Sequence, residues 1–104
     1  MIATVPVTEI AHSKANSWVQ VLDVREPSEF EAGHIEGATF IPLAIVPLRV
    51  DELRKAERIV LVCESGARAM QASQYLARQG FDVQLMDGGM AAWRQAGLPV
   101  VTGR

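Results

Sequence analysis

The chain is expected to form an α/β fold, a mostly parallel sheet with helices on both faces. Three observations point there. Segments suited to strands alternate with segments suited to helices along the 104 residues. The runs Val19 to Val24 and Arg58 to Val62 are rich in β-branched and apolar residues at adjacent positions, as strands covered on both sides are. Glycine-bearing turns, Gly33-His34-Ile35-Glu36-Gly37 and Asp87-Gly88-Gly89, separate the elements. Right-handed crossovers between parallel strands follow.

Taken in order, Val5-Pro6-Val7 is extended, and Thr8 is expected to cap a short helix running to about Lys14, broken by Ala15-Asn16-Ser17. The strand Val19 to Val24 ends at Asp23-Val24-Arg25. Pro27 then opens one or two helical turns that Gly33 closes, with Phe30 in the core. After the glycine-rich turn, Thr39-Phe40-Ile41-Pro42 is extended again. Pro47 breaks the apolar run Leu43 to Val50, so a helix is expected after it, from about Leu48 to Lys55, with Arg49, Asp51, Glu52, Arg54 and Lys55 facing water. Arg58 to Val62 is a buried strand. Ala67 to Gln79 forms a helix whose Ala69, Ala72, Ser73 and Leu76 make a small-residue face for close packing on a sheet. Gly80 caps it and Phe81 folds back. Val83 to Met86 is a further strand, and Met90 to Ala96 a last helix with Trp93 as a core anchor, before Gly97 to Val100 ends the compact part.

Length and a 49% hydrophobic content fit one domain, residues 1–104, able to bury a core without metal or disulfide. The net charge of −2, with ten scattered basic residues, argues against nucleic acid as a partner. The single cysteine suits a reducing compartment, and no apolar run is long enough to span a membrane, so the chain reads as cytoplasmic. Two distant histidines and one cysteine make no recognisable metal site, and no cofactor is implied. His34, flanked by Gly33 and Ile35, is expected to be a structural hydrogen-bonder.

The lone cysteine lies at the carboxyl end of the strand, where open α/β sheets build their sites. The loop Cys63-Glu64-Ser65-Gly66-Ala67-Arg68 must turn sharply into the following helix, with Gly66 free to adopt positive φ. Its amides can then converge as an anion-binding nest, and the helix N-terminus and Arg68 add positive potential. A packing cysteine needs none of this. The arrangement is expected to hold Cys63 as a thiolate nucleophile.

Three blocks carry a resemblance to single-domain rhodaneses, which are sulfurtransferases. Leu22-Asp23-Val24-Arg25-Glu26-Pro27-Ser28-Glu29-Phe30-Glu31-Ala32-Gly33-His34-Ile35-Glu36-Gly37-Ala38 is similar to that family's amino-terminal signature. Gly88-Gly89-Met90-Ala91-Ala92-Trp93-Arg94-Gln95-Ala96-Gly97-Leu98-Pro99-Val100 is similar to its carboxy-terminal one, and the Cys63 loop lies between them. The resemblance implies a central parallel sheet of about five strands, with Cys63 taking a sulfane sulfur as a persulfide. The donor would be thiosulfate or a persulfide, and the acceptor cyanide, a small thiol or a protein cysteine. The amides of Glu64, Ser65, Gly66, Ala67 and Arg68 would stabilise the anionic sulfur, and Arg68 would attract an anionic donor. Asp23, Arg25, His34 and Trp93 would be scaffold. The chain departs from the family pattern at Phe40, where asparagine is frequent, at Ala69, where a hydroxyl residue is frequent, and at Glu64, whose charge would repel an anionic donor if it faces the site.

Two other functions compete. A phosphatase or arsenate reductase of the related cell-cycle phosphatase type has five residues between cysteine and arginine, whereas Cys63 and Arg68 enclose four. The tighter ring suits a single terminal sulfur better than a tetrahedral oxyanion. A sulfur carrier or persulfide sensor would use the same cysteine and hand its sulfur to a protein partner. Lacking a second cysteine, any such persulfide must be discharged to an outside acceptor.

Overall fold

The computed structural model describes residues 2–15 and 19–103. A five-stranded sheet in the order β1-β5-β4-β2-β3 runs through it, every neighbouring pair parallel. The strands are β1 (Ala3–Val5), β2 (Gln20–Asp23), β3 (Thr39–Phe40), β4 (Ile59–Val62) and β5 (Val83–Met86). The helices are α1 (Val7–Ala15), α2 (Pro27–Ala32), α3 (Ala67–Arg78) and α4 (Gly89–Gln95).

The central strand β4 is buried at all four residues, because its side chains feed two cores at once. Ile59 and Leu61 join Leu22, Leu85, Ala69, Ala72 and Leu76 on the α3 face. Val60 and Val62 join Val21, Ile10, Met86, Met90 and Trp93 on the α1 and α4 face. Period-two alternation thus supplies both layers, which is why the run reads as continuously apolar. On α3, Ala69, Ala72, Ser73 and Leu76 are all buried, and the Ser73 hydroxyl donates to Ala69 O at 2.7 Å, so the small polar group costs the core no unpaired hydrogen bond. The helix ends in a Schellman arrangement, with Gly80 N donating to Ala77 O and Phe81 N to Leu76 O. Gly80 has φ +93°, and Phe81 turns back into the core.

Four expectations need correction. Thr8 lies inside α1 rather than capping it. Pro6 O accepts from Glu9 N and Ile10 N, so the chain turns into the helix two residues earlier. The extended segment before it is a true strand, paired in parallel with β5 through Ala3 to Val5. The expected helix over Leu48 to Lys55 is instead two 3₁₀ segments, Leu43–Leu48 and Val50–Glu52, and Pro47 sits inside the first. A 3₁₀ turn tolerates proline because its hydrogen bonds are few and short in span, and burying Val46 and Leu53 sets its path. Finally, ordered contacts continue past Val100. Val101 and His34 exchange two backbone hydrogen bonds at 2.9 Å, and Gly103 N donates to Glu31 O at 2.8 Å. Of the expected break at 15–17, Ala15 closes α1, while Asn16 and Ser17 lie outside the described residues.

Candidate active site

The carboxyl ends of β2 and β4 lie side by side, with Val24 N donating to Val62 O at 3.0 Å. The Cys63 loop therefore leaves the sheet next to Arg25 and the start of α2. Gly66 adopts φ +120° and stands at the N-cap of α3, where it offers no side chain to bond the helix's free amides. The Cys63 sulfur fills that role. Gly66 N donates to Sγ at 2.9 Å and Ala69 N, in the first turn of α3, at 3.4 Å. A sulfur thus sits where a serine or aspartate oxygen ordinarily caps a helix. As a residue Cys63 is 1% exposed and belongs to the α3-side core; two amides aimed at its sulfur distinguish it from a packing thiol.

The back of the loop is held by α4. Met90 N donates to Cys63 O at 2.8 Å and Ala91 N to Glu64 O at 3.2 Å. This approach requires glycine at 89, because a Cβ there would lie 2.5 Å from both Cys63 O and Glu64 O. Gly89 has φ +62°, so conformation and space both exclude a side chain.

The front of the loop is tied to α2. Arg68 makes a two-pronged pair with Glu29, at 2.6 and 2.8 Å. Glu29 also accepts from Glu26 N at 2.9 Å and completes a capping box at the start of α2. Hydrogen bonds from Arg68 outweigh partial burial and hold the Glu29 carboxyl at about 2, well below its ordinary 4.5. The same pair raises Arg68 above its ordinary value. The Arg68 guanidinium therefore faces a carboxylate of the chain itself.

Glu64, half-exposed, is held between two guanidinium groups, paired with Arg94 of α4 and 3.6 Å from Arg25 Nη1. Arg25 is itself buried and bonded to both Asp23 oxygens and to Gly33 O. Ser65 and Ala67 are exposed, and within the six-residue loop the hydrogen bond to the sulfur comes from Gly66 N. The second amide, from Ala69, lies one residue beyond the loop. His34 is buried, with Nδ1 2.7 Å from Phe30 O. A carbonyl can only accept, so Nδ1 carries the proton, in keeping with a structural role. Its ring stacks on Phe30, which in turn stacks on Phe40 at 4.4 Å. Phe40 at the departing position thus extends an aromatic stack that packs α2 onto β3. Trp93 is buried and donates from Nε1 to Pro99 O at 2.9 Å.

Residues 7–96 match the family model described as a rhodanese-like domain. The chain belongs to the rhodanese family. A protein named sulfurtransferase in Allochromatium vinosum is 40% identical over 84 residues, covering 80% of this chain and 78% of that protein. The thiosulfate sulfurtransferase GlpE of Pseudoalteromonas translucida is 38% identical over 79 residues, 75% of each chain. Among solved structures, a rhodanese-related protein of Thermoplasma volcanium superposes with a TM-score of 0.91 at 26% identity, covering 97% of this chain and 99% of that one. The chain is a rhodanese-type sulfurtransferase, and its five-stranded parallel sheet with flanking helices is the fold that the resemblance implied.

Sequence reasoning did not find Glu29 as the partner of Arg68, or Arg94 as the partner of Glu64. They are 39 and 30 positions apart, and charge pairs across such separations carry no local pattern. The one local signal available was the Glu26-Pro27-Ser28-Glu29 spacing of a capping box.

Proposed function

We propose that this rhodanese moves a sulfane sulfur through a persulfide on Cys63. The observation that carries the reading is the pair of amides, from Gly66 and Ala69, directed at Sγ. The thiolate attacks the outer sulfur of the donor. The new bond joins Sγ to that sulfur, the donor's S–S bond breaks, and its electron pair leaves with the donor remainder, which is sulfite when the donor is thiosulfate. The terminal sulfur of the Cys63 persulfide then carries the negative charge. The Gly66 and Ala69 amides lower the energy of the thiolate at which the cycle starts and ends, and the other amides of the loop are the donors available to the outer sulfur. An acceptor thiolate or cyanide attacks that terminal sulfur, and the Sγ–S pair returns to Cys63 as thiolate.

Small donors and acceptors, including thiosulfate, persulfides, cyanide and low-molecular-weight thiols, are the partners this chemistry requires, and a protein cysteine fits the acceptor role. Gly66, with the backbone of Glu64, Ser65, Ala67 and Arg68, forms the substrate-facing loop, and residues 1–104 act as one domain. Among the described residues no helix is long and apolar enough to cross a membrane; together with the unpaired thiol, this supports a cytoplasmic setting for the reaction.

Mass spectrometry after exposure to thiosulfate or glutathione persulfide tests the reading. The wild-type protein should gain one sulfur atom and lose it on adding cyanide or thiol, while Cys63→Ser should gain none and keep its fold by circular dichroism. Full sulfur uptake by Cys63→Ser would remove the proposed nucleophile. Saturating turnover with cyanide or glutathione identifies an enzyme, and a single unloading event to a protein partner alone identifies a carrier.

A further inference from the structure

Beside the Cys63 loop lies a cleft of about 270 Å³ lined by Arg25, Glu29, Gly33, Glu64, Arg94 and Val100. It holds two guanidinium groups, yet each faces a carboxylate. Arg94 and Arg25 both face Glu64, and Arg25 also binds Asp23. Glu29 on the opposite wall is bound by Arg68. A carboxylate held between two guanidiniums is the arrangement by which proteins bind an external anion, and here the anion is supplied by the residue next to the nucleophile.

We propose that Glu64 is the charge-selecting residue of this site. Its carboxylate, on the residue next to Cys63, engages both guanidinium groups of the cleft, and Arg68 is taken by Glu29, so an incoming anion meets a negative charge and finds none of these three guanidiniums uncommitted. The enzyme therefore discriminates against small dianions such as thiosulfate and favours organic persulfides of low charge. The inference rests on the persulfide reading of Cys63.

Two features make the discrimination durable. The root of Glu64 is anchored, since its carbonyl accepts from Ala91 N at 3.2 Å and the preceding carbonyl from Met90 N. The backbone at Glu64 is thus fixed, which keeps the carboxylate within one side chain's reach of the two guanidinium groups. Its pair with Arg94 is partly exposed, at 37% and 47%, and is individually weak. A tethered carboxylate nevertheless competes at the high effective concentration of an intramolecular group, and when displaced it still stands beside the incoming charge. Arg25, 2% exposed, cannot compensate, because Asp23 already neutralises it.

The decisive experiment uses two reagents of nearly the same shape and different charge. Cys63 is alkylated with iodoacetate and with iodoacetamide at low ionic strength, and the ratio of the two rate constants reads the field at the sulfur. Glu64→Gln should raise the iodoacetate-to-iodoacetamide ratio by up to about tenfold, the order expected for removing one unit charge from the residue next to the nucleophile at a partly solvated site. Arg94→Gln should lower it. In parallel, sulfur loading from thiosulfate, followed by mass, should quicken in Glu64→Gln by a similar factor. An unchanged alkylation ratio in a folded Glu64→Gln, with sulfur still taken up, overturns charge selection alone. A shifted ratio with no sulfur gained by any variant from any donor leaves the field effect standing and removes the persulfide reading. A Cys63 that neither reagent labels in any folded variant removes both.

Discussion

At the scale of single residues, the ion pair between Glu29 and Arg68 ties the Cys63 loop to α2, and its contribution can be read from its pH dependence. Glu29 is held at about 2 in the folded protein against its ordinary 4.5. A depressed carboxyl stabilises the fold fully above its unfolded value and loses that contribution as the pH falls through its folded value. Both side chains are 32% exposed, so solvent screening limits the pair to about 1 kcal/mol. Glu29→Gln should accordingly be less stable than wild type at pH 7, and the difference should close between about pH 4.5 and 2. Urea unfolding of both proteins across that range is the check. A gap that persists unchanged at pH 2 would show that the pair is not its source. Arg25 stands apart from the surface pairs. It is buried and bonded to Asp23, so removing either partner strands the other charge, at a cost of about 3–5 kcal/mol.

At the scale of elements, α3 and α4 hold the site from opposite faces of the sheet. The N-terminus of α3 presents amides to Sγ, and the first residues of α4 hold the carbonyls of Cys63 and Glu64 from behind. The contact between α4 and the loop depends on glycine at 89. Gly89→Ala places a methyl 2.5 Å from two carbonyl oxygens at φ +62°, so either the loop or α4 must shift. The expected loss is about 2–4 kcal/mol, at the upper end of overpacking because conformational strain is added. The midpoint of chemical denaturation reports that loss. Sulfur loading should fall as well, because the shift moves the segment that carries Cys63. A substitution with wild-type stability and loading would mean that α4 does not brace the loop. The 3₁₀ path from Leu43 to Glu52 follows the same rule at lower precision. Proline removes the α-helical option, and the burial of Val46 and Leu53 selects which alternative forms.

At the scale of the whole molecule, the final residues return to the first half of the chain. Val101 pairs with His34 and Gly103 reaches Glu31, so the last segment packs beside the turn that follows α2. Truncation after Val100 removes three backbone hydrogen bonds at 2.8 to 2.9 Å and uncovers the buried His34. It should cost about 1–3 kcal/mol and lower the thermal midpoint by several degrees. Scanning calorimetry of the truncated protein measures this, and an unchanged midpoint would mark the tail as an ornament of the fold.

The sequence by itself determined the parallel α/β architecture, the both-face burial of β2 and β4, the small-residue face of α3, and the position of Cys63 between a buried strand and the start of a helix. These are local or periodic properties: β-branched runs, helical spacing, glycine where φ must be positive, and a cysteine between strand and helix. What only the tertiary structure decided is who faces whom. Arg68 turns to Glu29 and Glu64 to Arg94 and Arg25, while the second amide on the sulfur comes from Ala69, beyond the loop. Charged side chains choose partners by proximity after the crossovers close, and residues 30 or more positions apart carry no local pattern that announces their meeting. The Ala69 amide, six positions from Cys63, is selected instead by how the loop turns into α3.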